Sequence, residues 1–112
     1  MTFFFDDLKC AIEYNCVAKA LQIIFESTKD ELTSILNSHG EYGWNILHYN
    51  AVNGNIDILL HLYRSNNDLI DELLKEKNED RRTPIELAYY YRNDEFYEFA
   101  SRLLAKKSCS KP

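Results

Sequence analysis

The sequence predicts an all-α fold, a solenoid of about three helix-turn-helix units joined by hairpin-like loops. Three observations predict it. Apolar residues return at helical spacing in one segment after another, each marking one buried face. Polar, turn-forming stretches separate those segments at regular intervals. The whole pattern then recurs in steps of 39 and 38 residues, with Leu8, Leu47 and Ile85 at one position and Ala11, Asn50 and Ala88 at another. Such a period belongs to stacked layers, and three layers are the usual minimum for a stable array.

The elements follow in order. A single domain over residues 1–106 divides into units at about 3–37, 38–75 and 76–106, and residues 107–112 read as a flexible C-terminal tail. The first helix of the first unit carries Leu8, Ala11 and Ile12, and that of the second carries Leu47 and Ala51. A tight turn follows at the aligned positions Asn15, Gly54 and Arg92. The second helices then present Val17, Ala20 and Ile24 in one unit and Ile56, Leu59 and Tyr63 in the next, one stripe at i, i+3 and i+7. Phe96, Phe99, Ala100 and Leu103 take that role in the third unit.

Segments 30–37 and 68–75 mirror each other. Leu32, Ile35 and Leu36 match Ile70, Leu73 and Leu74, which predicts a short helical turn closing the bottom of the core in each. Asp30 and Asp68 are the expected N-caps, because an aspartate oxygen accepts the first free amide hydrogens of a turn. The connectors 39–44 and 77–82 are polar. Gly43 suits a backbone position with positive φ, whereas Arg81 at the equivalent place does not, so the second connector is predicted to be reshaped.

Gly43, Leu47, His48, Ala51 and Gly54 stand in one string, and the stretch 45–55 returns in register as 83–93. This string resembles an ankyrin repeat. Several positions depart from the family: Asn45 and Ile46 replace its Thr-Pro, Asn50 an alanine, Glu86 the histidine and Arg92 the inter-helix glycine. The resemblance implies a non-catalytic module that binds another protein through its hairpin loops and concave helical face, as scaffold or regulator. It also implies that His48 is structural, its imidazole bonding backbone near the hairpin. The first and third units read as caps around one regular repeat; the alternative is a piece of a longer array.

Eighteen acidic against thirteen basic residues give a net charge of −5, which repels phosphate backbones and anionic membranes. Nucleic acid and membrane are therefore not expected as partners, nor is a small-molecule substrate. Arg81-Arg82 and Lys106-Lys107 are short enough to be solvated surface. The apolar start Phe3-Phe4-Phe5 is cut off by Asp6-Asp7, too short for a signal-peptide core, and no apolar run reaches spanning length. Three cysteines at unpaired spacing fit free thiols in a reducing, cytoplasmic compartment, or a host cytosol if the chain is a secreted effector.

No enzyme is expected. His39, His48 and His61 lie too far apart in sequence for a metal motif, and three glycines cannot build a phosphate loop, so neither metal nor cofactor is called for. Cys10 and Cys16 are expected to behave as small buried hydrophobes. The candidate partner-binding residues lie on the loops and first helices. From the second unit they are Glu41, Tyr42, Trp44, Tyr49, Val52 and Asn53; from the third, Glu79, Asp80, Arg82, Tyr90 and Tyr91.

An aromatic centre with charged edges has the make-up of a protein interface. Trp44 reads either as a binding anchor or as packing on a neighbouring hairpin, and Tyr90 and Tyr91 either as contacts or as cap packing. Beside the partner-binding reading stand two others. One is a regulatory or inhibitory subunit whose acidic surface meets a basic groove. The other is a self-associating structural module; a monomer is the expected state, with a weak homodimer as the alternative.

Overall fold

The computed structural model describes residues 2–109, and among them the regular structure is helical throughout. Eight α-helices follow one another: α1 (Phe5–Glu13), α2 (Val17–Glu26), α3 (Lys29–Asn37), α4 (Ile46–Asn53), α5 (Ile56–Ser65), α6 (Asn67–Lys75), α7 (Pro84–Tyr90) and α8 (Asp94–Cys109). A single 3-10 turn, Glu41–Gly43, sits in the loop before α4. α1 packs on α2, α4 on α5 and α7 on α8. α4 also touches both α1 and α7, and α5 touches both α2 and α8. α3 rests against α1, while α6 joins α5 to α7 and α8, within a body of 42 × 30 × 24 Å.

The three helix pairs turn in the same way. Asn15, Gly54 and Arg92 have φ of 56°, 84° and 60°, so one left-handed residue reverses the chain at each aligned position. The amide after it returns to the preceding helix in the outer pairs, from Cys16 to the Ala11 carbonyl and from Asn93 to the Ala88 carbonyl, both at 2.8 Å. In the middle pair Gly54 itself donates to Asn50 at 2.7 Å. These bonds satisfy carbonyls that a helix end otherwise leaves open.

Helices α3 to α7 begin on side-chain caps. Thr28 caps α3 and Thr83 caps α7, each in a reciprocal box in which Glu31 or Glu86 accepts from the cap amide at 2.8 Å. Asn66 caps α6. Asp30 and Asp68 are therefore not the caps. The helices start earlier than expected, and the acids lie in their first turns, where they face the positive end of the dipole.

The core runs through all three pairs. Leu8, Ala11, Ile12, Ala20 and Ile24 are buried, as are Leu47, Ala51, Leu59, Phe96 and Ala100. Leu32, Ile35 and Leu36 of α3 and Ile70, Leu73 and Leu74 of α6 are buried in matching order. Val17 and Ile56, at the first positions of α2 and α5, are half-buried, and Ile23, Ile58 and Leu62 complete the stripe instead. Cys10 and Cys16 are exposed, contrary to the expectation of buried thiols, because α1 turns its inner face on Leu8, Ala11 and Ile12 and Cys16 stands in the turn before α2. α8 continues to Cys109, three residues into the segment read as a tail; residues 110–112 lie outside the described residues.

Candidate functional site

The two long loops are closed by equivalent main-chain bonds, Gly40 N–H to the Trp44 carbonyl at 2.8 Å and Asn78 N–H to the Arg82 carbonyl at 3.0 Å. Their tips differ. In the first, Tyr42 and Gly43 both have positive φ, 61° and 73°, and Trp44 N–H returns to the Glu41 carbonyl. Two consecutive left-handed residues make a hairpin turn whose twist suits antiparallel chains. The second uses one such residue, Arg81 at φ 65°. The second turn is thus reshaped relative to the first although Arg81 keeps a positive φ, and the Asn78 side chain, accepting from the amides of Asp80 and Arg82, holds it.

A further bond, Glu79 N–H to the Tyr42 carbonyl at 2.9 Å, joins loop to loop. Gly43 suits that place by its positive φ of 73°; a Cβ there would make only ordinary contact with the Glu79 backbone nitrogen at 3.4 Å.

The base of the loops is fixed by a buried polar network. His48 Nδ1 accepts from the Asn45 amide at 2.9 Å, which leaves Nε2 to donate to the Arg82 carbonyl at 3.0 Å. Burial holds the imidazole below its ordinary pKa, and the bond to Arg82 opposes that in part. Asn45 accepts from His48 N–H and donates to the Leu73 carbonyl and to Glu76 Oε1 at 2.8 Å. His39 Nε2 reaches the same oxygen at 2.8 Å. Burial would raise the Glu76 carboxyl, yet the bonds from Asn45 and His39 prevail and hold it below the usual range.

Four of the predicted residues converge on a first groove of about 290 Å³, where Glu41, Tyr42, Trp44 and Tyr49 meet Lys9 and Glu13. Tyr42 is 65% exposed at the tip. Trp44 is half-buried, with its ring 5.1 Å from Tyr49 and 5.9 Å from His48, so it packs as well as lining the groove. Lys9 Nζ lies 5.6 Å from the Tyr49 ring centre and 3.1 Å from Glu13 Oε1. That hydrogen bond to Glu13 raises the ammonium above its ordinary pKa, against a small opposing effect of burial. Burial raises the Tyr49 phenol, so it is neutral at physiological pH. The groove thus combines ring faces with carboxylates, a setting that favours a cation.

Arg82 and Tyr90 belong to a second groove of about 730 Å³ with Glu86, Tyr89, Arg92, Asp94 and Tyr97. No residue lines both grooves. The Arg82 guanidinium stands 5.3 Å from the Tyr90 ring centre, and Tyr91 meets Tyr90 edge-on at 5.5 Å. Glu79 and Asp80 are exposed on the second loop.

Val52 and Asn53 have a different task. The Val52 carbonyl accepts from Asn93 Nδ2, and Asn53 Nδ2 donates to the Ile12 carbonyl and to Asn15 Oδ1, tying each helix pair to the one before. Lys9 and Glu13 were missed in the sequence. Their i, i+4 spacing was visible, but their place beside Tyr49 depends on α1 packing against α4. Tyr97 was missed as well.

Among the described residues no group of three or more histidine, cysteine, aspartate or glutamate side chains is placed to hold a metal ion, and no helix is long and apolar enough to cross a membrane. Comparison with known proteins gives no match to a family model, to a curated protein or to a solved structure.

Proposed function

We propose that the chain is a protein-recognition module of ankyrin-repeat architecture, which holds a protein partner on its first loop and the adjoining groove and carries out no chemistry itself. Support for the architecture comes from the left-handed residue shared by Asn15, Gly54 and Arg92, from α4 packing between α1 and α7, and from loops closed by equivalent bonds. One observation carries the functional part. Of the four non-glycine residues with positive φ, Asn15 and Arg92 answer to the aligned turn and Arg81 to the position of Gly43, whereas Tyr42 has no such counterpart. A bulky residue held there costs conformational energy, and such strain gathers where a side chain must be displayed. Tyr42 is displayed, and an exposed tyrosine offers a partner large area with few torsions to freeze.

Tyr42→Gly is the test, after a partner has been captured from lysate on the full chain. Relief of the backbone raises stability by about 1 kcal/mol, while loss of the ring weakens binding by roughly tenfold, about 1.4 kcal/mol. Undiminished affinity in the folded variant overturns the reading.

The first groove favours a particular chemistry. Lys9 already takes the Tyr49 face and the Glu13 carboxylate, so what the groove offers a basic side chain of the partner is the Glu41 carboxylate beside the exposed Tyr42 ring. This supports the regulatory reading, in which an acidic surface meets a basic groove. Its mark is association that slows steeply as salt rises, and salt-insensitive rates remove it.

A further inference from the structure

The second groove lies on the outer side of the last helix pair, and the repeat shows what that face is for. Ile12 and Ala51 stand at one aligned position and Ala20 and Leu59 at another, and all four are buried. The third pair has Tyr89 and Tyr97 at these positions, 70% and 37% exposed, with ring centres 5.5 Å apart. Positions that the fold elsewhere covers are here open, and they carry aromatic rings. Tyr90 adds a third exposed ring to the same groove.

Charge on this face is unlike that of the whole. The chain carries −5, yet the groove holds two arginines, Arg82 and Arg92, and two acids, Glu86 and Asp94. A balanced patch of both signs is complementary to itself, because a two-fold axis sets each arginine against an acid of the other copy. Its local balance adds nothing to the repulsion between two acidic molecules. Area is sufficient as well. The open portions of the groove tyrosines and Tyr91 amount to roughly 450 Å² at ~200 Å² per ring, and the four charged side chains bring the face towards the ~800 Å² per partner of a standard interface.

We infer that this face pairs with a second copy of the chain about a two-fold axis, tyrosine on tyrosine at the centre and arginine against carboxylate at the edge. The inference does not rest on the partner-binding reading, which concerns the first loop, and the two stand or fall separately.

Sedimentation of the full chain across a concentration series is the test. A reversible dimer with Kd on the order of 10–100 µM is expected, as suits a polar interface at the small end of the range. The double variant Tyr89→Glu, Tyr97→Glu should raise Kd by at least about tenfold while its helix content stays that of the parent chain. Arg92→Glu and Asp94→Arg should each weaken the dimer, and the two together should restore it, which also serves if the tyrosine variant fails to fold. A monomer mass at the highest concentration overturns the inference. So does a dimer indifferent to all of these substitutions, or one that grows into larger oligomers, since a two-fold contact closes on itself.

Discussion

Asn15, Gly54 and Arg92 occupy the same turn with the same sign of φ, and only the middle one is glycine. A left-handed residue with a Cβ costs about 1 kcal/mol relative to glycine. Arg92→Gly should therefore stabilise the chain by up to about 1 kcal/mol, seen as a higher urea midpoint at unchanged slope. Gly54→Ala should do the reverse and more. Besides the φ of 84°, the new methyl would meet Asn93 Cγ at 2.8 Å and Oδ1 at 2.9 Å, and Asn93 is the side chain that binds the Ala51 and Val52 carbonyls. A loss of roughly 2–3 kcal/mol is expected. An equal response of the two variants would mean that the three positions do not share one turn.

At the scale of the element, the start of α4 is the instructive case. His48 stands at the third helical position and accepts from the cap amide, the place that Glu86 takes in α7 and Glu31 in α3. Neutral imidazole is needed for that bond. Since burial depresses the folded pKa below the ordinary 6.5, the unfolded chain takes up the proton first, and stability present above that value is lost as pH falls below it. The urea midpoint should drop from pH 7 towards pH 5, and His48→Gln should flatten that slope. Losses that begin only below about pH 4.5 would belong to carboxylates such as Glu76 instead.

Helical spacing alone placed Leu8, Leu32, Leu47, Leu74 and Phe96 inside, because a side chain's face follows from its position along the helix. The caps of α3 and α7 are legible too, as Thr-x-x-Glu at Thr28–Glu31 and Thr83–Glu86, although Asp30 is a competing cap by residue type in the first. The packing of Trp44 was not legible. Its burial depends on how the loop folds back on Tyr49 and His48, a matter of tertiary contact that residue spacing does not carry.

For the molecule as a whole, the joints between layers matter more than any layer. Asn53 takes the Ile12 carbonyl of the first pair, and Asn93 takes the Ala51 and Val52 carbonyls of the second. On the proposed repeat architecture, such joints between helix pairs set whether the chain unfolds at once or from an end. Asn93→Ala removes two bonds, about 2 kcal/mol, and should let α7 and α8 exchange their amide hydrogens ahead of α1 and α4. Uniform acceleration across all three pairs would show that this joint is not what couples them.

The loops are shaped by main chain rather than by the groups they display. Gly40 to Trp44, Asn78 to Arg82 and Glu79 to Tyr42 are all bonds between amide and carbonyl. Outward residues such as Glu41, Glu79 and Asp80 can accordingly be exchanged while the scaffold underneath keeps its form. The chain is in that sense a handle with a replaceable bit, and a library varied at those three codons should yield folded members with altered preferences.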